Sequence, residues 1–343
     1  MRGLIYAFAS LVLACVIASG AAARDQIQIV GSSTVLPYAR IVAETFGEVY
    51  AQFRTPVVES GGSAAGIKEF CRGVGMDTVD IADASRPITP MEIDACAKNG
   101  VSAIEEVKFG YDGIVFANDV SAPHLDLTPA DLYRALAARV VVDGSLVDNP
   151  YKRWSEVNPD LPDLPITVFI PGEKHGTREV FEVKLLAVGC VDAGAYDAFV
   201  DEGGAESAHA ACLDLRKDGR AVDIDGDYTE TLARISANRS ALGVFGLSFY
   251  ENNVDKLNVA TISGVTPSSE TVASGAYPVS RPLYFYVKKA HLDVVPGLAE
   301  YVAFFLSDDM IGPYGLLADR GLVAAPEAER MAMRQRVERG ETL

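Results

Sequence analysis

Several turns in this chain carry the residue types that hold an anion without a metal. Gly31-Ser32-Ser33-Thr34 follows the strand-like run Ile27 to Val30. Gly61-Gly62-Ser63 follows Val57-Val58, and Ser85-Arg86 follows the run Asp80 to Ala84. Near the middle, Pro171-Gly172-Glu173-Lys174-His175-Gly176-Thr177 follows Ile166 to Ile170. At a strand–turn–helix junction, backbone N–H groups and small hydroxyls gather at the carboxyl end of a sheet, beside the positive end of a helix dipole. Converging junctions of this kind make an anion site. Singly each is an ordinary turn, since Ser and Thr are common helix caps; the inference rests on their recurrence.

Catalysis would need more. A hydrolase requires a nucleophile with its base, or a metal cluster. The histidines are His124, His175, His209 and His291, and no H-E-x-x-H, G-x-S-x-G or C-x-x-C pattern occurs. Ser63 in its Gly-rich turn has no base identified nearby. Neither catalytic residues, a metal nor a cofactor is expected.

The elements around these turns alternate between strand and helix, the sign of an α/β fold. Leu36, Ala39, Ala43, Phe46 and Tyr50 recur at helical spacing, with Pro37 in the first turn. Ile67, Phe70, Cys71 and Val74 mark the inner face of another helix. Thr89-Pro90-Met91-Glu92 is a capping box for a helix running towards Gly100. Ile114 to Ala117 reads as a strand, and Thr128-Pro129 opens a helix through Leu132, Leu136 and Val140. Phe181, Leu185 and Val188 continue the fourth turn as a helix. The stretch from 191 to 226 reads as helical turns and loops. Leu283 to Val287 is a strand, Val302 to Leu306 begins a terminal helix, and the charged end beyond Pro326 is a solvated tail or helix.

With 343 residues, 49% hydrophobic and 22% charged, the chain is long enough for two folded domains. A net charge of −17 with no basic run argues against nucleic acid. Met1-Arg2, the apolar stretch Leu4 to Ile17 and the Ala21-x-Ala23 box form a cleavable secretory signal over residues 1–23. A periplasmic location follows. Cys15 lies inside it, and its lipidation is the rival reading. The other cysteines, Cys71, Cys96, Cys190 and Cys212, are even in number, which in an exported chain suggests two disulfides with three connectivities open.

At the level of motifs, the chain resembles the periplasmic phosphate-binding proteins of bacterial ABC transporters. The resemblance is carried by Val30-Gly31-Ser32-Ser33-Thr34-Val35-Leu36-Pro37, Glu59-Ser60-Gly61-Gly62-Ser63-Ala64-Ala65-Gly66, Asp80-Ile81-Ala82-Asp83-Ala84-Ser85-Arg86-Pro87, His175-Gly176-Thr177-Arg178 and Tyr277-Pro278-Val279-Ser280-Arg281-Pro282-Leu283-Tyr284, in that order. It implies two α/β lobes joined by hinge strands, with a ligand cleft between them: residues 24–115 plus 276–343, and residues 116–275. Pairing within a lobe then joins Cys71 to Cys96 and Cys190 to Cys212.

The same resemblance implies a phosphate set of Ser33, Thr34, Val35 (through its N–H), Ser63, Ser85, Arg86, His175, Gly176, Thr177 and Arg178, with Arg178 as the assigned cation. It also implies a monomer that delivers inorganic phosphate to the membrane subunits of an ABC importer. The chain departs from the family's best-known branch at Ser85, where an aspartate accepts a proton from phosphate. That acceptor here is Glu173, Asp83 or Asp112. His175 replaces the usual serine and either donates to the anion or caps its loop. Arg86 contacts ligand or pairs with an acidic neighbour. Arsenate, arsenite, phosphite or sulfate, presented to a membrane sensor, is the alternative cargo; a phosphate-ester hydrolase is a more distant alternative.

Overall fold

The structure, a computed structural model, describes residues 24–172 and 176–343. The secretory signal, Cys15, Glu173 and His175 lie outside the described residues. A nine-stranded sheet organises the chain, in the order Val57–Ser60, Gln28–Gly31, Ile81–Ala84, Ser280–Lys288, Ile104–Asp119, Leu242–Gly246, Val168–Pro171 and Ala221–Ile224. Leu257–Val259 pairs with the far end of Ile104–Asp119.

The long strand Ile104–Asp119 joins two halves by changing partner. From Ile104 to Gly113 it pairs with Ser280–Lys288, and from Ile114 to Ala117 with Leu242–Gly246. One large apolar cluster lies on the second side, around Phe116, Trp154, Phe181 and Phe245. Two more lie on the first side, around Phe46, Phe109, Tyr301 and Phe305, and around Phe70, Cys96 and Tyr286. Separate cores joined by crossing strands allow two lobes, each closed by its own buried surface.

Local sequence accounts for most elements. Pro37 sits in the first turn of the helix Leu36–Val49. Thr89 and Glu92 complete a capping box on Pro90–Lys98, and Thr128 and Asp131 do the same for Pro129–Leu136. Ser63–Phe70 ends before Val74, which is exposed rather than part of an inner face. Val140 is also placed differently. The helix stops at Leu136, and Arg139–Val142 forms a hairpin with Ser145–Asp148. Asp143-Gly144 turns this hairpin with φ of 49° and 77°, the Asp-Gly signature of such a turn, and the β-branched run Val140 to Val142 suits a strand. Between 191 and 226 the helices Ala195–Gly203 and Ala205–Leu213 are followed by the strand Ala221–Ile224, which joins the sheet. The last helix is Glu327–Glu338, with Arg330 and Met333 buried against the first side. Among the described residues no helix is long and apolar enough to cross a membrane.

Disulfides join Cys71 to Cys96 and Cys190 to Cys212, matching the within-lobe pairing.

Candidate functional site

The first turn is built by close packing. Gly31 has φ of 149°, and a side chain there would strike the carbonyl of Asp83, so only glycine lets the two strands approach. The Ser32 amide donates to that carbonyl at 2.9 Å. The Ser32 hydroxyl accepts from the amides of Thr34 at 3.2 Å and Val35 at 3.4 Å, which folds the loop back on itself. Thr34 is thereby buried with its hydroxyl aimed across the seam between the halves. In the second and third turns, Ser63 Oγ lies 3.3 Å from Ser85 Oγ and accepts from the Ser85 amide at 3.1 Å. These two hydroxyls form one unit at the wall of a cavity of about 640 Å³, also lined by Gly62, Arg86, Glu179, Lys184 and Arg281.

The two cations named by the sequence are each paired with nearby carboxylates. Arg86 makes a forked pair with Glu92, Nη1 to Oε2 at 2.9 Å and Nη2 to Oε1 at 2.8 Å. This hydrogen bonding holds the Glu92 carboxyl down at about 2. Arg178 donates from Nε to Glu182 at 2.7 Å and from Nη1 to the Pro171 carbonyl at 3.0 Å, and also pairs with Asp223. Its guanidinium ties the start of the helix Gly176–Phe181 to the adjoining strand ends. Its charge is paired there through Nε and Nη1.

The cation at the seam is Arg281. It lies on Ser280–Lys288, directly across from Asp112 in the antiparallel register, and is only 5% exposed. Nη2 donates to the Thr34 hydroxyl. Nη1 stands 3.4 Å and Nη2 3.5 Å from the Glu179 carboxylate, and Nε lies 3.7 Å from Asp112 Oδ2. Glu179 Oε2 accepts from Thr34 Oγ1 at 2.8 Å and from Ser33 Oγ at 3.3 Å. Thus Ser33, Thr34 and Arg281 converge on one carboxylate that reaches across from the helix Gly176–Phe181.

Beside that contact lies a second cavity of about 200 Å³, lined by Thr34, Tyr38, Asp112, Thr177, Tyr228 and Arg320, among others. Asp112 Oδ2, Arg281 Nε and Thr177 Oγ1 are buried side-chain atoms without hydrogen-bond partners. Two of these atoms, Asp112 Oδ2 and Arg281 Nε, face each other at 3.7 Å, so the cleft wall carries an ion pair with room for further polar contacts. Burial pushes the Asp112 carboxyl up, Arg281 pulls it back and Glu179 adds to the rise. Burial raises the hydroxyls of Tyr38 and Tyr228 as well. Asp83 lines neither cavity; burial pushes its carboxyl well up, and its charge is felt by the core residue Tyr301. Among the described residues no group of three or more His, Cys, Asp or Glu is placed to hold a metal ion.

Arg281 stands in the last of the sequence motifs, where the resemblance implies no role for it. The available signal was an Arg between Ser280 and Pro282 at the head of the apolar and aromatic run Leu283 to Val287.

Two lobes on a shared sheet, with hydroxyls and a buried guanidinium facing one cleft, define a periplasmic-binding-protein architecture. The chain belongs to the PBP superfamily, whose domain matches residues 17–309. It is similar to Protein SphX of Synechococcus elongatus, with 28% identity over 281 residues that cover 80% of this chain and 71% of that protein. It is similar also to the phosphate-binding protein PstS of Staphylococcus epidermidis, with 27% identity over 307 residues, 87% of this chain and 78% of that one. Among solved structures, a "possible phosphate binding protein" of Planctomyces limnophilus superposes with a TM-score of 0.72. The two are 27% identical, over 92% of this chain and 98% of the other.

Proposed function

We propose that this chain is a solute-binding protein that captures inorganic phosphate in the cleft between its lobes and delivers it to the membrane subunits of an ABC importer. One observation carries the reading: Ser33, Thr34 and Arg281, from distant parts of the chain, already surround a carboxylate and satisfy it as they would an oxyanion. The names of the staphylococcal and planctomycete relatives supply the phosphate.

In this reading residues 24–115 plus 276–343 form one lobe and residues 116–275 the other, with the partner change at Gly113 and Ile114 in the hinge. Thr34, Ser33 and the Val35 amide donate from one side, with Ser63 and Ser85 behind them. Gly176 and Thr177 donate from the other, where His175 adjoins them in sequence. Arg281 supplies the buried charge. A guanidinium and hydroxyl donors in a desolvated cleft bind a tetrahedral oxyanion strongly, because charge-assisted hydrogen bonds there are not screened by solvent. Arg178 shapes the fourth loop from below, and Arg86 closes the third. The protein works as a monomer in the periplasm after loss of residues 1–23, and closure over the anion is its working motion, without catalysis.

Isothermal titration of the purified protein with phosphate, sulfate and arsenate tests this. Saturable binding of phosphate, tighter than sulfate, is expected. Equal or tighter sulfate binding overturns the cargo assignment, and turnover of a chromogenic phosphate ester overturns the binding role.

A further inference from the structure

We propose that Glu179 is a built-in anion that latches the empty cleft and must be displaced before the cargo enters. The inference rests on the phosphate-binding reading above and adds a mode of control to the same site. Glu179 lies on the helix Gly176–Phe181, whose Val180 and Phe181 are buried in the core of the second side. Its carboxylate leaves that side and accepts from Thr34 and Ser33 while facing Arg281. Ser33 and Thr34 precede the helix Leu36–Val49, which is packed in the core of the first side. The contact therefore spans the two halves of the molecule.

The residue types make the contact a competitor of the cargo. The buried Thr34 hydroxyl and the Arg281 guanidinium left unpaired would each lose a favourable partner, so a carboxylate reaching from the opposite lobe stabilises the closed, ligand-free cleft. The same donors are the ones an oxyanion needs. An incoming dianion cannot share them with Glu179, because two anions within hydrogen-bond reach of Arg281 repel, and Asp112 already stands 3.7 Å from its Nε. Glu179 is suited to leaving. Its side chain is 41% exposed where that of Arg281 is 6%, so water can take up the released carboxylate while the cation stays fixed. The affinity measured for the cargo is reduced by the fraction of molecules in which the latch is shut.

The test uses Glu179→Ala and Glu179→Gln in the full mature chain, with inorganic phosphate as the titrant. Both substitutions sit at a partly exposed position, and thermal melts check that each variant is folded. Phosphate is expected to bind Glu179→Ala about tenfold or more tightly than the native chain, with Glu179→Gln in the same direction. In small-angle scattering, ligand-free Glu179→Ala is expected to be more extended than the native protein, and the difference to vanish once phosphate is added. Unchanged or weaker binding by Glu179→Ala overturns the latch while the phosphate reading stands, provided that the native chain binds phosphate. Absence of phosphate binding in the native chain and both variants overturns the underlying reading, and the latch with it.

Discussion

Arg281 and Asp112 are direct cross-strand partners on the two strands that connect the halves of the molecule, and their pairing aims a buried guanidinium at the hydroxyl of Thr34. A slip of one residue in this register would turn Arg281 to the opposite face of the sheet. The pair therefore has positional value. Buried ion pairs contribute little to stability once desolvation is counted, so its role is to place a charge where the lobes meet.

The first prediction separates the two arginines. Arg281→Ala lowers phosphate affinity by roughly tenfold to 150-fold, the loss expected for a charge-assisted contact of about 1.5–3 kcal/mol. Arg178→Ala leaves affinity within about threefold but destabilises the fold by roughly 1–3 kcal/mol, because it removes a largely buried guanidinium that bonds Glu182, Asp223 and the Pro171 carbonyl. Titration calorimetry and urea denaturation of both variants check this. The opposite ranking would make Arg178 the ligand cation.

A second concerns Arg86 and Glu92. Hydrogen bonds from Arg86 hold the Glu92 carboxyl at about 2, below its usual 4.5. A depressed carboxyl contributes stability that is present above 4.5 and is lost as pH falls towards 2. Arg86 is more than a third exposed, so solvent limits the pair to under about 1 kcal/mol. Glu92→Gln is expected to be less stable than the native chain at pH 6 and nearly equal to it near pH 2. A constant gap between those pH values refutes the assignment.

Third, Lys288 is fully buried, donates to Thr78 at 2.7 Å and lies over the ring of Phe70. Burial lowers its ammonium to about 8 from 10.5, against the pull of Asp80. A base with a depressed folded value destabilises the fold whenever both states would be protonated. The penalty is full below pH 8 and fades as pH rises to 10.5. Lys288→Met is therefore expected to stabilise the protein by about 1–3 kcal/mol at pH 7, an advantage that shrinks by pH 10. Denaturant midpoints at the two pH values decide it. A destabilised variant at pH 7 would mean that the contacts to Thr78 and Phe70 outweigh desolvation.

Finally, the Cys190–Cys212 bridge ties the helices Ala187–Asp192 and Ala205–Leu213 across a separation of 22 residues. Cys190→Ala with Cys212→Ala is expected to cost about 3 kcal/mol through the unfolded-chain entropy of that loop, with phosphate affinity unchanged. Calorimetric melting and titration of the double variant give both answers. A large loss of affinity would connect the bridge to the cleft.

Much of this architecture was legible in the residues. The capping boxes at Thr89 and Thr128 and the glycine turns at 31 and 62 follow from interactions a few residues long, and the even cysteine count implied two bridges, whose partners came from the lobe division the resemblance implies. Val140 was misplaced because an apolar helical spacing ran on into a hairpin whose Asp143-Gly144 turn was the stronger signal. Ala221–Ile224 escaped notice because a short strand gains its stability from its neighbour Val168–Pro171 rather than from its own composition.

The hydroxyl-bearing turns at Ser33, Thr34, Ser63, Ser85 and Thr177 were set by residue type and spacing, since small hydroxyls after a strand need only local geometry. Which cation reaches the Thr34 hydroxyl was decided by tertiary structure alone. Arg178 and Arg86 sit beside the motifs yet are neutralised by Glu182, Asp223 and Glu92, whereas Arg281 stands 247 residues from the Thr34 hydroxyl it reaches. The pairing of a guanidinium depends on which carboxylates the folded chain brings within a few ångströms, and that distance exists only once the strands are in register.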